Sequence, residues 1–420
     1  MATYTLPYAK TKIAVNLPDA WPVTVLAPAE AAAAADPLAV VEQALEQPLG
    51  GIRLTDFKSP KSAAIAINDK TRPVPHHYLL PPLLAHLEKL GLPPEAITLL
   101  VATGVHPPMP PQEFSWIVSP EIVSRYPIIC HNGDDRASLV QLGRTERGTP
   151  VWLNRLFLEA DLRLVVGNIE PHQFMGFSGG VKSAVIGLAG KATINHNHAM
   201  MLDPRANLGR YEDNPARQDV EEMGRMVDIH FALNAILNQD KEIVTAIAGE
   251  PRAVMQAGIP LARQIYQVEV AKPFDLMIVS PGGHPKDINL YQTQKGLAHA
   301  ALVTKEGGTM ILAAACPEGT GSAAYEQWME GLASYQAVFE RFEREGFRVG
   351  PHKAFQIAHD ASRMRVLLLS QMAPDFVRRL LLTPVATIEE ALSLALAGLQ
   401  PQARIGLMPL ANATIPTLRA

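Results

Sequence analysis

The sequence predicts an α/β protein made of two α/β domains. Short runs rich in aliphatic and β-branched residues recur along the chain, and helix-like stretches alternate with them. Several runs also end in polar or glycine-rich segments, as buried parallel strands do at their C-terminal ends, where ligands collect in open α/β sheets.

In chain order, residues 62–67 read as the first buried strand and lead into Asn68-Asp69-Lys70-Thr71-Arg72. Residues 83–90 read as a helix, and 97–101 as a second strand followed by Ala102-Thr103-Gly104-Val105-His106. A third strand at 162–166 opens into Gly167-Asn168, and 216–226 has helical spacing. The pattern restarts after Ala271-Lys272-Pro273-Phe274-Asp275: strand 276–280 ends at Pro281-Gly282-Gly283-His284, helix 296–303 follows, then strand 310–314, helix 324–333, strand 366–370 and helix 388–396. This restart places a boundary near residue 270. The expected domains are 1–270 and 271–389, with 390–420, including a closing strand at 403–409, expected to return to the first domain.

Composition narrows the function. Of 420 residues, 48% are hydrophobic and 19% charged, enough to bury a core and to exclude wholesale disorder. A net charge of −4 supplies no general attraction for nucleic acid or an anionic membrane. Cys130 and Cys316 are the two cysteines and form no CxxC pair or Cys/His cluster for structural zinc. The first 20 residues lack the apolar core of a secretory signal, and no run of 18 apolar residues occurs, so a cytoplasmic protein is expected.

The segment richest in chemistry runs from Glu170 to Ser183, Glu-Pro-His-Gln-Phe-Met-Gly-Phe-Ser-Gly-Gly-Val-Lys-Ser, followed by Asn195-His196-Asn197-His198. Its glycines let a ligand approach the backbone closely. A P-loop requires glycine immediately before the lysine, and Val181 breaks that motif. Lys182 reads either as a desolvated amine able to act as a nucleophile or covalent anchor, or as a solvated surface lysine. His172, His196 and His198 read either as ligands or bases, or as hydrogen-bonded structural residues. Asp69, Thr71 and Arg72 combine a carboxylate, a hydroxyl and a guanidinium that can clamp an anion, although the same residues suit a helix start before Pro73. His106 precedes Pro107-Pro108, which would hold its loop rigid. Tyr291, Gln292 and Lys295 introduce a helix and could bind an anionic substrate.

Together, Asp69-Lys-Thr-Arg-Pro, Thr103-Gly-Val-His106, His172 with Lys182 ten residues on, Asn197-His198 and Gln292-Thr-Gln-Lys295 resemble the nickel-dependent lactate racemase family over nearly the whole chain. The resemblance implies an active site in the cleft between two domains, closing by a hinge. It implies a nickel-pincer nucleotide, a pyridinium-3,5-bisthiocarboxylic acid mononucleotide carrying Ni(II), joined by a thioamide to Lys182. His198 would be the nickel ligand, with His196 in reserve. It further implies racemisation of a 2-hydroxy acid through a 2-keto acid, hydride leaving C2 for the pincer while His106 or His172 takes the hydroxyl proton. Asp69, Thr71 and Arg72 would contact the cofactor, and Arg72, Tyr291, Gln292 and Lys295 the substrate. The proteins that build the pincer would be partners. Pro107-Pro108 replaces the Arg-Pro common in the family, leaving lactate, malate, phenyllactate and sugar acids open as substrates, and Phe355 is a positional match for the pocket aromatic. Two other readings are a nicotinamide-dependent 2-hydroxy-acid dehydrogenase, whose Gly-x-Gly-x-x-Gly is missing, and a non-catalytic nickel or nucleotide binder, which would not need both His106 and His172.

Overall fold

The run at 62–67 forms the strand Ala63–Asn68 at the centre of a six-stranded sheet. The computed structural model describes residues 1–400 and 402–419. They divide into a first unit, Glu30–Ile265, and a second unit, Met1–Ala29 with Tyr266–Ala420.

The sheet of the first unit runs in the order Ile243–Gly249, Phe231–Leu237, Leu162–Asn168, Ala63–Asn68, Ile97–Ala102, Ile128–Cys130. Its last five strands are parallel, and Ile243–Gly249 is antiparallel to its neighbour. Ile65, Ile67, Leu99, Val101, Leu164 and Val166 are buried in its core with Leu79, Leu80, Leu83, Leu84 and Leu87 of the helix His76–Lys89. That helix starts seven residues before the expected 83 and runs through Pro81 and Pro82. An interior proline costs about 3 kcal/mol, whereas each buried leucine contributes about 1.5–3 kcal/mol, so five leucines outweigh the break. The helix Pro215–Val227 opens on Asn214, whose side chain accepts from Arg217 N–H, with Pro215 in the first turn, and ends on Asp228 in the left-handed region at φ 56°.

The second unit contains a parallel sheet in the order Thr383–Val385, Arg365–Leu369, Thr304–Ala313, Phe274–Val279, Ile405–Met408, Val23–Val25. Here the structure corrects the expected division. Residues 390–420 do not return to the first unit, because Ile405–Met408 fills the gap between Phe274–Val279 and Val23–Val25, and residues 1–29 belong to this unit too. The helix expected at 296–303 is Leu290–Ala301; Asn289 caps it by accepting from Gln292 N–H, so Tyr291, Gln292 and Lys295 are helical. No helix among the described residues is long and apolar enough to cross a membrane.

Candidate active site

Three strands of the first unit, Ala63–Asn68, Ile97–Ala102 and Leu162–Asn168, release their chains at the same sheet edge, and a pocket lies there. Asp69, Arg72, His106, His172, Lys182 and His198 all line it. Thr71 stands behind Asp69 and is bonded to it through both its N–H and its hydroxyl.

Asp69 is 3% exposed and meets His106 Nδ1 at 2.7 Å. Burial pushes its carboxyl up, but the bonds from His106 and Thr71 prevail and hold it below the usual carboxylate range. A carboxylate accepts, so His106 Nδ1 carries hydrogen and its Nε2 keeps a lone pair, the form a general base needs. His172 is fixed the opposite way: Met175 N–H donates to its Nδ1 at 3.3 Å, placing the hydrogen of the neutral ring on Nε2. His172 ends the first strand of a two-residue ladder, Pro171–His172 against Gly176–Phe177, opposite Gly176. Phe174 in the intervening loop packs edge-on to His172 and to His198, at centroid distances of 4.9 and 5.0 Å.

Lys182 begins the short helix Lys182–Val185, directly after the glycine pair and Val181. Burial drives its amine down, Arg72 and Arg217 push the same way and Glu170 opposes; the outcome is a fall from 10.5 to about 7. Close to neutral pH much of this amine is unprotonated and nucleophilic. The loop before it is tightly held. Gly179 has φ 91°, and a Cβ there would come within 2.9 Å of Asn168 backbone oxygen. Gly180 N–H donates to Asn234 Oδ1 at 2.8 Å. Arg217, wholly buried, donates to the carbonyls of Phe177 and Gly179 at 3.0 and 3.1 Å and pairs with buried Glu221 at 2.6 Å.

His198 sits near the end of the helix Lys191–Ala199, with its Nδ1 3.2 Å from Asn197 Oδ1. His196 does not line the pocket; its Nδ1 meets Thr149 Oγ1 at 2.9 Å. Asn68 and Asn168 also line it, and each has a buried Oδ1 without a hydrogen-bond partner.

Tyr291, Gln292 and Lys295 belong to the second unit. Gln292 and Lys295 share one helix face, Lys295 Nζ donating to Gln292 Oε1 at 2.7 Å. Tyr291 lies under the ammonium of buried Lys353, 4.7 Å from ring centroid to Nζ, and edge-on to His352 at 5.8 Å. Phe355, matched by position to a pocket aromatic, is half-buried in the second unit, where it stacks on Phe342 at 4.5 Å and packs against the core.

Sequence reasoning missed Arg217, Glu221, Asp219, Asn234 and Lys353. The visible signal for the first two is an i, i+4 charged pair on the stripe otherwise formed by Ala216, Val220 and Gly224.

Known proteins carry the same architecture. Residues 8–209 match the model of the lactate racemase N-terminal domain, and residues 269–415 that of the lactate racemase C-terminal domain. The chain is 30% identical over 418 residues to a lactate racemase of Thermoanaerobacterium thermosaccharolyticum, covering 97% of this chain and 98% of the relative. It is also 30% identical over 376 residues to a lactate racemase of Lactiplantibacillus plantarum, covering 88% of each. The lactate racemase apoprotein structure from T. thermosaccharolyticum superposes with a TM-score of 0.92 at 30% identity, over 99% of this chain and 100% of the other.

Proposed function

Because the chain belongs to the lactate racemase family and is an isomerase of the racemase type, we propose that it interconverts the enantiomers of a small 2-hydroxy acid through the 2-keto acid, with a nickel-pincer nucleotide held by Lys182 and His198. The observation that carries this reading is the convergence of Lys182, His198, His106, His172 and Arg72 on one pocket.

The residues suit such a group. Lys182 offers an amine with its affinity for protons lowered to about 7, ready for covalent attachment. His198 offers a ring nitrogen. His198 would hold the nickel, and the soft sulfur donors of the nucleotide would supply chemistry that suits Ni(II). The unpartnered oxygens of Asn68 and Asn168 are acceptors for donors on the nucleotide. When bound, the group supplies a hydride acceptor for C2.

The side chains supply the rest. Arg72 provides a guanidinium for an anionic oxygen of cofactor or substrate. His106, oriented by Asp69 and Thr71, removes the hydroxyl proton of one enantiomer. His172 serves the other once its ring passes to the Nδ1–H form, giving up the 3.3 Å bond from Met175 N–H and freeing Nε2. Each base is worth roughly 10²–10⁴ in rate. In the second unit Lys295, bonded to Gln292, offers a cation for a substrate carboxylate, and Tyr291 beside it offers an aromatic ring. Charging takes place in the cytoplasm and requires the proteins that build the pincer.

The test is co-expression with those proteins, followed by intact mass, nickel content and incubation with single enantiomers of a 2-hydroxy-acid panel. A nickel-bearing adduct on Lys182 and interconversion of at least one acid are expected. A folded protein with neither adduct nor nickel, from partners shown to charge a known racemase, overturns the proposal.

A further inference from the structure

Behind the pocket wall, a buried carboxylate with no part in the proposed chemistry reaches His198 through one amide. Asp219, fully buried on the helix Pro215–Val227, accepts from Thr145 Oγ1 at 2.6 Å through one oxygen. Through the other it accepts from Thr149 Oγ1 and Asn197 Nδ2, both at 2.8 Å. Asn197, also fully buried, sends its second amide hydrogen to Ala216 carbonyl oxygen at 3.0 Å.

These contacts fix the amide without ambiguity. A carboxylate and a backbone carbonyl only accept, so the NH₂ end of Asn197 must face them and its carbonyl end must face His198. His198 Nδ1, 3.2 Å from that oxygen, then has to donate. A neutral imidazole that donates at Nδ1 keeps its lone pair on Nε2. Asp219 imposes the same order on His196: Thr149 commits its hydroxyl hydrogen to Asp219, so its oxygen accepts from His196 Nδ1 at 2.9 Å.

We infer that Asp219 and Asn197 are positioning residues that hold neutral His198 in the Nδ1–H tautomer, so that Nε2 is the nitrogen presented to a metal. This rests on the reading of His198 as the nickel ligand only for its use; the tautomer itself is argued from the Asn197 contact. A metal-bound histidine anchored through its other ring nitrogen has a fixed ring plane and tautomer, and losing such an anchor typically costs 10–100-fold in metal affinity.

The experiment uses the full-length apoprotein labelled with ¹⁵N-histidine, and long-range ¹H–¹⁵N spectra two pH units above the ordinary imidazole pKa of about 6.5. The His198 signals are assigned by their loss in His198→Ala. The expected result is an Nδ1–H ring in the wild type and a shift of population toward Nε2–H in Asn197→Leu, with Asp219→Asn moving His196 as well. An Nε2–H ring at His198 in the wild type overturns the inference, and that measurement does not depend on whether a variant folds. Nickel retention after charging is the second readout. A fall of roughly 10–100-fold in Asn197→Leu with His106 signals unmoved is expected, and wild-type retention in that variant overturns the positioning role. If His198→Ala itself keeps nickel, the proposed role of His198 as ligand fails, while an Nδ1–H signal still upholds the tautomer.

Discussion

The amine of Lys182 gives the sharpest quantitative expectation. Burial, then Arg72, then Arg217 lower it from 10.5 to about 7, against Glu170. At pH 7.5 such an amine is unprotonated in about three-quarters of molecules, whereas a lysine at its ordinary pKa of about 10.4 is so in roughly one in a thousand. The nucleophilic form is therefore enriched by several hundredfold. The assay is brief acylation of the apoprotein with an amine-reactive ester from pH 5.5 to 10, scored at Lys182 by peptide mass spectrometry against a model lysine peptide. The modification rate at Lys182 should reach half its maximum near pH 7. Replacing Arg72 by Met removes the larger source of repulsion, so the midpoint should move up in that variant. A wild-type midpoint above pH 9 would refute the argument that burial and neighbouring guanidinium groups tune this amine.

Three further expectations can be checked with ordinary means. Asp69→Asn removes the acceptor 2.7 Å from His106 Nδ1 and permits the wrong tautomer, so racemisation by the charged enzyme should fall roughly 10²–10⁴-fold at unchanged nickel content; unaltered kcat would remove Asp69 from the mechanism. Arg217→Leu strands the buried Glu221 carboxylate and should cost about 3–5 kcal/mol by denaturant unfolding, with a smaller loss in the Arg217→Met, Glu221→Leu double variant; equal losses would sink the ion-pair argument. Burial pushes His76 and His299 down to about 4 against the pull of the carbonyls of Ile117 and Ala411. Between about pH 6.5 and 4 each ring binds a proton in the unfolded chain only, so stability is complete above that window and falls as pH drops through it, by about 1.4 kcal/mol per pH unit per ring. His76→Phe should flatten the slope by one proton, and an unchanged slope contradicts the assignment.

The sheet-edge loops were legible because their chemistry is local. An apolar run ending in Asn68-Asp69-Lys-Thr-Arg or Thr103-Gly-Val-His106 announces both a strand and the loop that leaves it. Residues whose importance comes from distant partners leave no such mark. Asp219 reads as one more acid on a surface helix, and the Thr145 hydroxyl that reveals its burial is 74 residues away. Lys353 looks like any lysine until Gln294, 59 residues earlier, accepts its hydrogen bond. The start of the helix at Leu290 is hidden by Tyr-Gln-Thr-Gln-Lys, a stretch whose polarity suggests a loop. The hairpin of Ala2–Tyr8 with Thr11–Leu17 turns at Ala9-Lys10, without the glycine or asparagine that marks such turns; Ala9 itself takes φ 48°. Domain membership of the first 29 residues is equally nonlocal, since it depends on Val23–Val25 finding Ile405–Met408.

That last pairing sets a timetable for the chain on the ribosome. Every strand in the sheet of the first unit has been made once residue 249 emerges, so that unit can complete its hydrogen-bond ladder during synthesis. The edge strand at 23–25 pairs with residues 405–407, some 380 positions later. At about 5–20 residues per second, its backbone donors and acceptors wait roughly 20–80 s for their partner. Through that interval the nascent chain carries an unpaired strand ahead of a finished unit, and a chaperone that shields residues 1–29 would protect a segment that is made early and placed late.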